Sequence, residues 1–184
     1  MPGPSSRRFC NSTTMARLGA FGAPPWCVLA SIDLGPNTGR SILHSGTVCA
    51  ALTAASLGIS GLAVSIDATE PQHLHTAAGV AAKATEWLPA ARKRTVVNIN
   101  VPDLPAEELG GIRHARLAAF GRARRDWNAG DATVNVEPTE LPLDPDTDEG
   151  LLDAGFATVT PITDVQAVAD DSAAAATAST SLRA

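Results

Sequence analysis

Residues 31–48 read SIDLGPNTGRSILHSGTV. One carboxylate, Asp33, closes an apolar run at 27–32, and a turn with Gly35, Pro36, Asn37 and Gly39 follows at once. Ser45, Gly46 and Thr47 then open a segment with helical apolar spacing. These residue types, in this order, suit a hard cation beside a phosphate. A carboxylate at the end of a strand can hold such a cation. The first amides of a helix have no intrahelical partner and attract anions. Glycines let that backbone approach an anion with no side chain between. Asp33 is therefore the candidate metal residue. Asn37, Ser45, Gly46 and Thr47 are the candidate phosphate- or substrate-binding residues, and no residue is assigned to catalysis.

Each of these positions also has a plainer use. Asp33 could cap a turn, and Asn37 could be only a turn residue in Pro36-Asn37-Thr38-Gly39. Ser45 is a good helix cap whatever binds there. Gly46 is harder to dismiss. Glycine in a helical first turn costs about 1 kcal/mol against alanine and needs a reason. His44 could donate to a phosphate or simply pack.

The elements that must position this stretch are legible in the spacing. The run at 27–33 has strand length, and the segment 45–57 has Val48, Ala51, Leu52 and Ala55 on one helical face before Gly58. A second apolar run covers 62–66. The segment 73–88 carries the stripe Ala77, Val80, Ala81, Ala84, Trp87 and Leu88, and Pro89 ends it. A β-branched run at 95–101 stops at Pro102. Strand, helix, strand, helix, strand predicts a parallel sheet with right-handed crossovers. Beyond it, 112–117, 133–136 and 156–161 read as strands and 137–150 as a loop rich in Pro, Asp, Thr and Glu. The segment 112–162 has few large apolar residues, so it is expected to form arms that complete their burial against a second copy. The end of the chain, 170–184, is low in complexity and reads as a disordered tail.

Composition narrows the partners. The 184 residues carry a formal net charge of −5, which argues against a nucleic-acid groove. Much of the 45% hydrophobic content is alanine, so the core should be thin for the length. Cys10, Cys27 and Cys49 show no CxxC spacing and read as small buried thiols in a reduced chain. No apolar stretch approaches the ~20 residues of a membrane span, and the expected location is the cytoplasm. His73 and His75 lack the spacing that lets two histidines share a metal on a helix, so both read as surface residues. Arg113, Arg116, Arg122, Arg124 and Arg125, near Trp127, read as a solvated and partly interfacial face. Asp144, Asp146, Asp148 and Glu149 do not fit a calcium loop, because its glycine and closing glutamate are out of place.

The same residues carry a family resemblance. Ile32, Gly35, Asn37, Gly39 and His44-Ser45-Gly46-Thr47-Val48 resemble the central motif of the SurE-type survival proteins, which are metal-dependent nucleotidases. The runs 95–102 (TVVNINVP), 111–116 (GIRHAR) and 156–162 (FATVTPI) match further motifs in the same order. The resemblance spans about 27–165, and is expected to reach back to 16. It implies a three-layer Rossmann-like α/β fold with C-terminal β-hairpin arms, and a homodimer or homotetramer. It further implies one divalent cation per subunit, Mg²⁺ or Mn²⁺, and hydrolysis of nucleoside monophosphates to nucleoside and phosphate. Two departures qualify it. The family opens with a strand ending in a metal-binding Asp-Asp pair, whereas 1–26 holds no acidic residue. Asp33 also stands where the family has a metal-ligand Asn, and Ala30-Ser31 where it has Ser-Gly. The chain is thus expected to comprise an unmatched or partly matched segment 1–26, an incomplete domain 27–169 and the tail 170–184. The rival expectation is a catalytically inactive fragment that only binds phosphate or self-associates. A generic nucleotide-binding module ranks last, for want of a Walker loop or a GxGxxG fingerprint.

Overall fold

The computed structural model describes residues 12–119, 123–128, 133–138 and 142–163. Cys10, Arg122 and the tail 170–184 lie outside them. The elements run α1 (Ser12–Arg17), β1 (Cys27–Leu34), α2 (Gly46–Ser56), β2 (Ser60–Asp67), α3 (Leu74–Trp87), β3 (Val96–Pro102) and β4 (Ile112–His114). Then come β5 (Ala123–Asn128), β6 (Thr133–Pro138), α4 (Asp148–Asp153) and β7 (Ala157–Ile162).

The five-stranded sheet has the order β1-β2-β3-β7-β4. β1, β2 and β3 are parallel, as the alternation with helices predicts. β7 runs antiparallel to β3, and β4 is parallel to β7. β5 and β6 form a separate antiparallel ribbon. The fold is a mixed, mostly parallel α/β sheet with helices on both faces, the Rossmann-like architecture expected.

Two cores explain why β2 and β3 are buried on both sides. On one face Leu62, Val64, Ile66, Val97, Ile99 and Val101 meet Ala77, Val80, Ala81, Ala84 and Leu88, five of the six residues in the stripe along α3 and just past its end. On the other face Ala63 and Val96 meet Val48, Ala51 and Ala55 of α2. That second core is made of small side chains, so backbones come close. A Cβ at Gly61 would lie 2.5 Å from the Ala51 carbonyl oxygen, and only glycine lets α2 sit at this depth.

Several expectations need correction. β7 is no arm. Ala157 and Thr158 are fully buried, and the strand completes the sheet beside β3. Its few large residues misled, because Thr and Ala suffice where the facing layer is close. The stretch 137–150 is not one loop: β6 extends through Pro138, and α4 begins at Asp148 behind an N-cap at Thr147, whose hydroxyl accepts from Gly150 N–H. The strand expected at 112–117 ends at His114, and Arg116 makes only an isolated bridge to Thr147. Cys49 is exposed, not buried; Cys27 is half-buried, and that burial pushes its thiol pKa up. His73 is not a bare surface residue. Its backbone N–H and its ring both meet the Asp103 carboxylate, at 2.8 and 3.2 Å, just beyond β3.

Candidate functional site

Parallel strands end side by side, so residues at their carboxyl ends form a row. Here the row is polar. Asp33 on β1 pairs with Ser65 on β2, Ser65 with Asn100 on β3, and Asn100 with Thr158 on β7. All four point to the α2 face, the side on which Ala63 and Val96 meet that helix. Ser65, Asn100 and Thr158 are fully buried.

Asn37 ties this row to the glycine turn. Its side-chain Nδ2 donates to Asp33 Oδ2 at 3.1 Å and to Ser65 Oγ at 2.7 Å. Its backbone N–H donates to Asn100 Oδ1 at 2.7 Å. Its carbonyl accepts from Asn98 Nδ2 at 2.7 Å and Asn100 Nδ2 at 3.0 Å. Asn37 is therefore a hub that fixes the loop over three strand ends, more than a plain turn residue. The orientation of the Asp33 carboxylate is fixed from two sides, since Oδ1 accepts the Leu34 N–H at 3.1 Å.

The helix start lies against β1, where Gly46 and Thr47 share a cleft with residues 28–31. Ser45 is the N-cap of α2, and its Oγ accepts the Val48 N–H at 3.1 Å. Its own O–H stays available as a donor. The Gly46 and Thr47 amides belong to the orphan set at the first turn. A Cβ at Gly46 would meet nothing within 4 Å, so packing within the chain does not call for glycine there. A cleft of about 350 Å³ runs past Gly46 and Thr47, bounded by Ser12, Thr13, Ser31 and the apolar residues 28–30. Asp33 and Asn37 do not line it. The structure thus gathers the predicted residues into two neighbouring groups: Asp33 with Asn37, and Ser45, Gly46 and Thr47 around the helix start. His44 is exposed beside them.

The donor set is all oxygen and amide, the chemistry of a hard cation rather than of zinc. Asp33 fits as one ligand. No group of three or more His, Cys, Asp or Glu residues that could hold a metal occurs among the described residues.

Some contributors carry little local signal. Ser65, Asn98 and Asn100 look like ordinary strand residues. Their signal was the alternation of Asn98 and Asn100 within a β-branched run, polar residues at period two where burial is complete. Asp148 and Glu149, which fit no calcium loop, also reach this site. Asp148 Oδ2 accepts the Gly39 N–H at 2.9 Å, and Glu149 Oε1 accepts the Thr38 hydroxyl at 2.9 Å. Burial pushes the Asp148 carboxyl pKa up, against the pull of the N–H groups it accepts from Ala118, Gly39 and Glu149.

Fold and site together define an open α/β protein with its polar site at the carboxyl ends of parallel strands and a helix start beside them. The Survival protein SurE family matches residues 10–124, and the chain belongs to that family. The 5'/3'-nucleotidase SurE of Cronobacter sakazakii is 39% identical over 146 residues, covering 75% of this chain and 57% of that protein. The 5'-nucleotidase SurE of Alkalilimnicola ehrlichii is 37% identical over 156 residues, covering 80% and 61%. Among solved structures, the SurE protein from Aquifex aeolicus superposes with a TM-score of 0.65 at 25% identity, covering 83% of this chain and 64% of that one. The chain spans about three-fifths of the length of the relatives it matches. No helix among the described residues is long and apolar enough to cross a membrane.

Proposed function

We propose that this site serves a phosphomonoesterase of the 5'-nucleotidase type, dependent on one divalent cation, Mg²⁺ or Mn²⁺, and acting on nucleoside monophosphates in the cytoplasm. The observation that carries the reading is the Asp33–Ser65–Asn100 row with Asn37 drawn onto it, beside a helix start whose Gly46 has no packing reason to be glycine. The names of the relatives support the substrate class.

In this reading Asp33 would hold the cation, with Asn37 fixing its carboxylate. The cation, when bound, supplies charge neutralisation at the phosphoryl oxygens and a water of lowered pKa. The Gly46 and Thr47 amides and the Ser45 O–H orient the phosphate and stabilise charge that grows on its oxygens. A second reading, a fragment that binds phosphate or self-associates without turnover, is favoured by one observation: Asp33 is not joined by two further metal-type ligands among the described residues.

The test is hydrolysis of a nucleoside monophosphate and of a chromogenic phosphate ester with Mg²⁺ or Mn²⁺. Turnover well above background, abolished by chelator and by Asp33→Ala, supports the enzyme. Phosphate binding without turnover supports the second reading.

A further inference from the structure

The two residues that follow Asn37 are both held from the far end of the chain. Thr38 donates its hydroxyl to Glu149, and Gly39 donates its N–H to Asp148. The sequence separations are 111 and 109 residues. Thr38 is 1% exposed, Asp148 0% and Glu149 4%, so these contacts are shielded from water. Neither carboxylate is required to cap α4, because Thr147 already does so. Asp148 Oδ1 accepts a second distant amide, Ala118 N–H, at 2.9 Å. A buried carboxylate costs free energy unless N–H groups satisfy it, and these N–H groups come chiefly from outside its own helix. Gly39 sits at φ 52, which glycine reaches without strain, and its freedom to leave that conformation gives the Asp148 bond something to fix.

We propose that Asp148 and Glu149 are positioning residues for the site: by gripping Thr38 and Gly39 they set the loop so that the Asn37 amide meets Asp33 and Ser65. The inference rests on the phosphomonoesterase reading only for its kinetic consequence; the geometric consequence stands without it. The side chain chemistry makes the two residues separable. Glu149 Oε1 accepts the Thr38 hydroxyl, a task that glutamine performs with its amide oxygen. Asp148 accepts on both oxygens, and asparagine would turn an NH₂ toward one of the donors.

The experiment uses the whole chain with Glu149→Ala, Glu149→Gln and Thr38→Val. Three quantities are read: the Asn37 side-chain NH₂ resonances by NMR, kcat and KM for a chromogenic phosphate ester with Mn²⁺, and the melting temperature. The expected result is that Glu149→Ala and Thr38→Val both shift the Asn37 NH₂ signals. Both also lower kcat about tenfold with KM changed less than twofold. Glu149→Gln restores both signals and rate. If Asn37 signals and kcat stay at wild-type values in Glu149→Ala, the proposal is overturned. The same holds if Glu149→Gln fails as badly as alanine. Should Thr38→Val or Glu149→Ala fail to fold, the glutamine variant and a Thr38→Ser variant decide, since both keep the bond and must keep the Asn37 signals. If wild type itself shows no turnover, the phosphomonoesterase reading fails, while the NMR readings still decide the positioning role.

Discussion

Asn37 Nδ2 lies 3.1 Å from Asp33 Oδ2 and donates to it, while also donating to the buried Ser65 hydroxyl. One amide thus joins the sole predicted metal residue to the adjacent strand. Removing it leaves Ser65 with a buried, unsatisfied oxygen, and such a group costs about 1–3 kcal/mol. Asn37→Ala should lower unfolding free energy by that amount in urea melts. A loss under about 0.5 kcal/mol would mean that the loop is held by its backbone bonds to Asn98 and Asn100 alone.

Asn37→Asp makes a sharper test of the cation. It places a second carboxylate against Asp33, and two like charges at that distance disfavour joint ionisation. A divalent cation between them removes the conflict. The variant should therefore be less stable than wild type in EDTA and gain more from added Mn²⁺ than wild type gains. Equal gains in both proteins would place any cation elsewhere.

Gly46 and Gly61 should respond oppositely to alanine. At Gly61 the new Cβ would press on the Ala51 carbonyl at 2.5 Å, and overpacking of this kind costs about 1–3 kcal/mol. At Gly46 the space is open, so better helix propensity should stabilise by up to about 1 kcal/mol. If Gly46 serves phosphate, Gly46→Ala should weaken phosphate binding severalfold in calorimetry while raising the melting temperature. Stabilisation with unchanged phosphate affinity would return Gly46 to a neutral role.

Much of this fold could be read from local patterns. The spacing predicts helices at 45–57 and 73–88, within a residue or so of α2 and α3, because an apolar stripe and a flanking Gly58 or Pro89 are local signals. The pattern locates β7 along the chain but not its place beside β3. Whether a Thr-rich strand enters a sheet depends on what closes over it, and that partner lies far along the chain. The site divides the same way. Asp33, Asn37 and Ser45 sit within one motif, and the motif makes them visible. Asp148 and Glu149 act on that motif across more than 100 residues, and only the folded chain brings them there.

Buried hydroxyls without partners mark a further difference between pattern and packing. Thr160 Oγ1 and the Asn98 Oδ1 opposite it are both buried, and neither has a hydrogen-bond partner among the described residues. Valine has nearly the shape of threonine and carries no hydroxyl to desolvate. Thr160→Val should therefore be neutral or stabilise by about 1 kcal/mol. A clear loss of stability would show that this hydroxyl is satisfied in solution.

Two carboxylates should give opposite pH signatures. Asp103 accepts backbone N–H groups from Gln72 and His73, and the Gln72 bond is the first cause of its lowered pKa. A lowered native pKa means the unfolded chain binds the proton more readily. The stability contributed is present above the unfolded value of about 3.9 and is lost as pH falls through the native one. Asp148 is shifted the other way, chiefly by burial. Its contribution is present below about 3.9 and is lost as pH rises through its raised native value. Asp103→Asn should therefore flatten the loss of stability toward acid, whereas Asp148→Asn should steepen it, because it removes an opposing slope. Urea melts of wild type and both variants between about pH 3 and 6 would measure this. Parallel curves for all three proteins would show that neither carboxylate changes its proton affinity on folding, and the burial argument for Asp148 would fall with them.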